Sequence, residues 1–222
     1  MSRETDNIQR LIENKDVQFR DFRITDIEVR EAAEGEPEKL IIRGVPCVFN
    51  QETLLLRWDD YEVYEEVDKD AFDEADMSDV IFNYNHGGRV YARTRNNSLN
   101  LNVNKAKGLE METELWDDDE GHRQLYRDIK RGNIDKMSFA FTIKAREISY
   151  EEEHDPYVLR CHRKITKIDR LYDVSAVDIP AYDATEISAR RLFDAERSEH
   201  EAESRKAVSL ALARYEYEKE RG

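Results

Sequence analysis

Two short blocks carry side chains suited to acyl transfer: Asn83-Tyr84-Asn85-His86-Gly87-Gly88 and, further along, Asp135-Lys136-Met137-Ser138-Phe139-Ala140-Phe141. A serine hydroxyl is a weak nucleophile until an imidazole takes its proton, and that imidazole needs a partner to fix its tautomer and stabilise its charged form. Ser138 and His86 could fill the first two roles, and a carboxylate commonly fills the third. The run Leu171-Tyr172-Asp173-Val174-Ser175-Ala176-Val177-Asp178-Ile179 offers Asp173 and Asp178, whose odd spacing puts them on opposite faces of a strand. Only one can turn toward Ser138. Each group alone fits a structural role: His86 as a satisfied strand histidine, Ser138 as a hydroxyl capping nearby backbone, Asp173 as a cross-strand ion-pair partner. Together, in this order, they suggest a serine hydrolase.

The elements that must position these groups are mainly strands. Leu40 to Phe49 reads as a buried strand, with Gly44 and Pro46 marking a bulge or an edge, and Val80 to His86 reads as a second. Apolar and polar residues alternate through Leu99–Val103 and Leu109–Leu115, as half-buried antiparallel strands require, with Lys105-Ala106-Lys107-Gly108 as the turn. Asp117-Asp118-Asp119 supplies capping carboxylates for a helix of about three turns. Its apolar stripe is Leu125, Tyr126 and Ile129, and Gly132 stops it. From Met137 the period becomes two, so Met137, Phe139 and Phe141 face the apolar side and Ser138 faces away. The polar stretch Tyr150 to Cys161 reads as an excursion between strands, and strand character resumes from Ile165 to Ile179. Trp58 and Trp116 read as packing residues.

Composition limits the function classes. The 222 residues are 39% hydrophobic, enough for one core of about 150 to 170 residues plus appendages. Fifty acidic against thirty-five basic side chains give a net charge of −15, which argues against DNA or an anionic membrane as partner. No apolar run approaches the roughly 20 residues that span a bilayer, and the N-terminus lacks a signal peptide's hydrophobic region, so a cytosolic protein is expected. Cys47 and Cys161 read as buried thiols rather than a disulfide. His122, His154 and His162 lack metal-ligand spacing and read as solvated surface histidines. No phosphate loop, paired-cysteine zinc signature or internal repeat is present, and no cofactor or metal is expected. Residues 1–36 form a charged, weakly patterned extension. Residues 186–222, rich in Ala, Glu and Arg, read as a charged helical tail to a domain spanning 37–185.

The three blocks, His86 in Tyr84-Asn85-His86, Met137-Ser138-Phe139-Ala140-Phe141 after a helix ending near Gly132, and Leu171-Tyr172-Asp173-Val174-Ser175 leading to Ile179-Pro180-Ala181-Tyr182, resemble the tailed-phage prohead proteases. The resemblance covers roughly residues 40–185. It implies an α+β, mainly β fold: a compact antiparallel β-barrel surrounded by helices, similar to the herpesvirus assemblins. It also implies a serine endopeptidase of capsid maturation that works inside the immature shell in the host cytoplasm. Its substrates would be scaffold protein, or the scaffold-like segment of the major capsid protein, and the protease itself. By motif, His86 matches the base and Ser138 the nucleophile. The third member lies among Asp173, Asp178 and His162; Asp173 is preferred, because Asp173-Val174 stands where assemblins carry a His-Val strand motif. Backbone amides near Pro180-Ala181-Tyr182 are where an oxyanion site is expected. Assemblins are activated by dimerisation, so a homodimer follows by analogy. Two positions depart from the family pattern: Ala140 where Gly is frequent and Gly87 where Asp is frequent.

Two other classes compete with the protease. One is a noncatalytic assembly factor that keeps the fold and binds scaffold through its acidic surface and helical tail. The other is a metal-dependent hydrolase using the scattered histidines.

Overall fold

The alternating segments form antiparallel hairpins, as their period requires. A computed structural model describes residues 17–21, 27–30, 39–58, 60–154, 156–178, 193 and 195–212. The chain divides into two compact units, Met1–Ala181 and Tyr182–Gly222. The first holds eleven described strands: β1 (Val17–Asp21), β2 (Ile27–Arg30), β3 (Leu40–Val48), β4 (Thr53–Trp58), β5 (Tyr61–Val67), β6 (Ile81–Tyr84), β7 (Gly87–Arg93), β8 (Leu99–Asn104), β9 (Gly108–Leu115), β10 (Lys136–His154) and β11 (Tyr157–Val177). One helix, α1 (Glu120–Lys130), joins β9 to β10. In the second unit a helix, α2, covers 195–212, where Arg197 pairs with Glu201 one turn on at 3.0 Å. Among the described residues, no helix is long and apolar enough to cross a membrane.

The strands form two sheets. Four make one, in the order β2-β3-β9-β8, all antiparallel. The other has seven, with β1-β10-β11-β5-β4 along one path and β6 and β7 joined through β11. The core is shared by both sheets and the helix: Ile42, Leu109 and Met111 from the smaller sheet, Phe82, Phe139, Phe141 and Val174 from the larger, and Leu125, Tyr126 and Ile129 from α1. The result is a mainly β, α+β fold in which two sheets close over one apolar interior.

The expected helix starts where its carboxylates predict, with Asp119 capping the His122 amide at 3.1 Å. The β3 irregularity also falls where Gly44 and Pro46 suggest, since pairing with β9 shifts between Gly44 and Cys47. Both cysteines are buried free thiols. Three expectations need correction. Tyr150 to Cys161 is not an excursion: β10 and β11 run as one long hairpin, paired from Ser149↔His162 out to His154↔Tyr157. On the β10 side Tyr150–His154 is polar and largely exposed, while on β11 Leu159 and Cys161 are buried in alternation with Val158 and Arg160, so this part of the hairpin has one buried face on one strand only. Trp116 is 61% exposed, not packed inside. It stacks on His122, which is itself buried rather than solvated and accepts the Trp116 amide at Nδ1 at 3.0 Å. Burial, followed by the Arg89 charge, lowers the pKa of that imidazole. A further finding is that the segment 1–36 contributes β1 and β2, whose pairing the weak local pattern does not disclose.

The larger sheet also contains parallel pairs, which a wholly antiparallel barrel lacks. One edge of β11 carries β10, while its other edge is followed by the chain from β5 to β6 in parallel. Tyr61–Val67 pairs with Leu159–Ile165, Asp76 bridges Arg170, and Ile81–Tyr84 pairs with Asp173–Ala176. This parallel path brings the end of β6 beside Ser175.

The tightest constraint in the smaller sheet is Gly108, where a Cβ would lie 2.1 Å from the Cys47 carbonyl oxygen at a φ of +152°. Gly108→Ala is expected to lower the unfolding free energy by at least about 2 kcal/mol. Urea unfolding followed by circular dichroism measures this.

Candidate active site

The site is built on one face of the β10–β11 ladder. Ser138 pairs with Ser175, and Ala140 pairs with Asp173. Side chains two residues apart share a face, so these four stand together, opposite to Phe139 and Val174 in the core. The expectation that Ser138 turns away from Met137, Phe139 and Phe141 holds for direction. It does not mean exposure, because residues 137–141 are all buried.

His86 reaches this face from a turn, not from the strand expected to run through it. β6 ends at Tyr84 and pairs there with Gly87, leaving Asn85-His86 as a two-residue loop. Both have positive φ, 51° and 52°, as a type I′ hairpin turn demands. Asn and His both enter this region more readily than most residues, yet a non-glycine residue there still costs about 1–3 kcal/mol and must be held by its surroundings. The holding contacts come from β11. The Asn85 amide donates to the Ala176 carbonyl at 3.0 Å, and the His86 amide donates to Ser175 Oγ at 2.8 Å. Ser175 in turn donates its hydroxyl proton to Asn83 Oδ1.

So fixed, the imidazole bridges two buried groups. His86 Nε2 lies 2.5 Å from Ser138 Oγ, and Nδ1 lies 2.8 Å from Asp173 Oδ1. With Nδ1 protonated toward the carboxylate, Nε2 is the free base facing the hydroxyl. Ser138 and Asp173 are 0% and 1% exposed, so these interactions act where water screens them little. The Phe19 ring packs edge-on against the imidazole, with centroids 4.8 Å apart. Such a constellation can move a proton from the serine hydroxyl to His86 as Oγ attacks a carbonyl, with Asp173 stabilising the imidazolium.

Of the three candidates for the third position, the structure brings only Asp173 onto His86. Asp178 is exposed and braces the turn from outside, accepting from Tyr84 and from Asn85 Nδ2 at 2.9 Å. His162 bonds Glu52 at 2.6 Å and stacks on Tyr64. Pro180-Ala181-Tyr182, named for the oxyanion site, lies outside the described residues. Sequence reasoning missed Ser175 and Asn83, the groups that hold the His86 backbone. Ser175 stood in the same block as Asp173, two residues on, and that same-face spacing was the available signal.

A hydroxyl, an imidazole and a buried carboxylate in hydrogen-bonded series form a site of the serine-hydrolase kind. The chain belongs to the caudovirus prohead serine protease family, whose family model matches residues 25–200, a span that takes in His86, Ser138 and Asp173 and begins after β1. No curated protein and no solved structure gives a significant match to the chain.

The His86–Asp173 bond has a direct signature. A strongly downfield imidazole proton resonance is expected in the proton NMR spectrum, lost in Asp173→Ala. Ser175→Ala should broaden that resonance and lower the unfolding free energy by about 1–2 kcal/mol, since the His86 amide and Asn83 lose a buried partner.

Proposed function

We propose that the protein is a serine endopeptidase of phage capsid maturation, in which Ser138 is the nucleophile, His86 the general base and acid, and Asp173 the group that orients and stabilises the imidazole. The observation that carries this is the unbroken series Asp173–His86–Ser138, at 2.8 and 2.5 Å, within a prohead serine protease. Ser138 Oγ attacks the scissile carbonyl while His86 Nε2 takes its proton. The same imidazolium then protonates the leaving amine, and a water deprotonated by His86 hydrolyses the acyl-enzyme.

The substrates proposed are scaffold protein or the scaffold-like segment of the major capsid protein, together with the protease itself, inside the prohead. An endopeptidase that acts on its own shell must be confined with its substrate, and the family's tie to the prohead supports this. Under the same reading, residues 37–185 form the body of the protease domain, an assemblin-like barrel, to which 1–36 adds β1 and β2, with 186–222 as an appendage. A homodimer is its working assembly.

Coexpression with the capsid and scaffold proteins of the same phage tests the assignment. Ser138→Ala and His86→Ala should each lower the processing rate by about 10⁶-fold, to a residual rate, while leaving the circular dichroism spectrum unchanged. Asp173→Asn should keep the fold and lower the processing rate by about 10³–10⁴-fold, as a carboxamide stabilises the wrong tautomer and no positive charge. Processing by Ser138→Ala at the wild-type rate would exclude that serine as nucleophile.

A further inference from the structure

Strand β10 has two edges beside Ser138. One is taken by β11, and the other is the edge along which an extended peptide could add as a further strand. β1 already lies there. It runs antiparallel, from Val17↔Thr142 to Asp21↔Ser138, and among the described residues is the last strand on its side of the sheet. Its contacts with the site are specific. Ser138 Oγ lies 3.1 Å from the Arg20 carbonyl oxygen, an acceptor that competes with His86 Nε2 for the single hydroxyl proton, and Phe19 packs on His86. The nucleophile is thus wholly covered, at 0% exposure.

The Arg20 side chain leaves by the opposite face of β1 and enters the interior. Its guanidinium lies 5.8 Å from the centroid of the Phe141 ring and forms a two-pronged pair with Glu65. Glu65 is 0% exposed and also faces Arg163, with Nε 3.3 Å from Oε2. Burial pushes the Glu65 carboxyl up, but the Arg20 and Arg163 charges outweigh it and hold it below its ordinary value. Glu65 sits on β5 and Arg163 opposite it on β11, so the acid and one arginine belong to the body of the sheet and Arg20 arrives with the added strand. A fixed buried carboxylate with bidentate geometry selects a guanidinium over other side chains.

We propose that the edge of β10 beside Ser138 is the groove for the substrate chain, that β1 is a self-derived occupant which blocks it, and that Glu65 is the specificity-determining residue selecting an extended peptide with arginine at the Arg20 position. This rests on the reading of Ser138 as nucleophile. Substrate enters by displacing β1, with one of its carbonyls taking the place of the Arg20 carbonyl at Ser138 Oγ.

The double variant Phe19→Ala/Arg20→Ala of the whole chain loosens β1 and leaves Glu65 the Arg163 guanidinium as a buried counter-charge, so its thermal melt should remain cooperative. Arg20→Leu alone serves as a milder second variant. A fluorophosphonate should label Ser138 in either variant at least about tenfold faster than in the wild type, because the competent open fraction rises. In a Ser138→Ala background, the double variant should bind a fluorescent peptide with the sequence of residues 17–23. Norleucine at the arginine position should weaken that binding at least about tenfold, the loss expected for a charged hydrogen-bonded partner. Equal labelling of wild type and variants, or peptide binding indifferent to norleucine, would overturn the proposal. Absence of labelling in every protein, with arginine-selective peptide binding retained, would instead overturn the role of Ser138 and leave the groove standing.

Discussion

Everything at the site depends on the register of β10 against β11. Ser138↔Ser175 and Ala140↔Asp173 put the hydroxyl, the carboxylate and the hydroxyl that holds the His86 turn on one face. A slip of one residue would send one strand's contribution into the apolar interior. The register is protected by the other face, where Phe139, Phe141 and Val174 enter the shared core. Burial of those side chains, each worth about 1.5–3 kcal/mol, therefore also fixes the polar geometry.

His86 adds a different kind of constraint. Its left-handed backbone is unfavourable, and its imidazole lies among buried polar groups whose bonds compensate. Strain and network support each other: the turn aims the ring between Asp173 and Ser138, and their hydrogen bonds keep the turn in place. Such placement fixes the orientation of the base before substrate binds.

Much of this was legible in the residues, and the remainder failed for identifiable reasons. Leu99–Leu115, α1 and the direction of Ser138 followed from period and capping, because those elements have one face in the core. The third group was readable as Asp173 only through the resemblance of Leu171–Ser175 to a family block, since alternation alone allowed Asp178 equally. The outer half of the β10–β11 hairpin was hidden because its β10 side is polar and largely exposed and its β11 side marks the strand only through Leu159 and Cys161, and His122 because its burial depends on Trp116 and Tyr91, distant in period. β1 was illegible for a stronger reason. Its contacts with Ser138, His86 and Glu65 are all long-range, and Arg20 reads locally as one more surface charge.

The central claim is that Ser138, His86 and Asp173 act as one unit, and non-additivity measures that directly. Rates of capsid and scaffold processing would be compared for Ser138→Ala, His86→Ala and the double variant Ser138→Ala/His86→Ala. Groups that act in one proton-transfer step predict a double variant no slower than Ser138→Ala alone. Losses that multiply, with the double variant slower than either single one by the product of their effects, would contradict a shared mechanism.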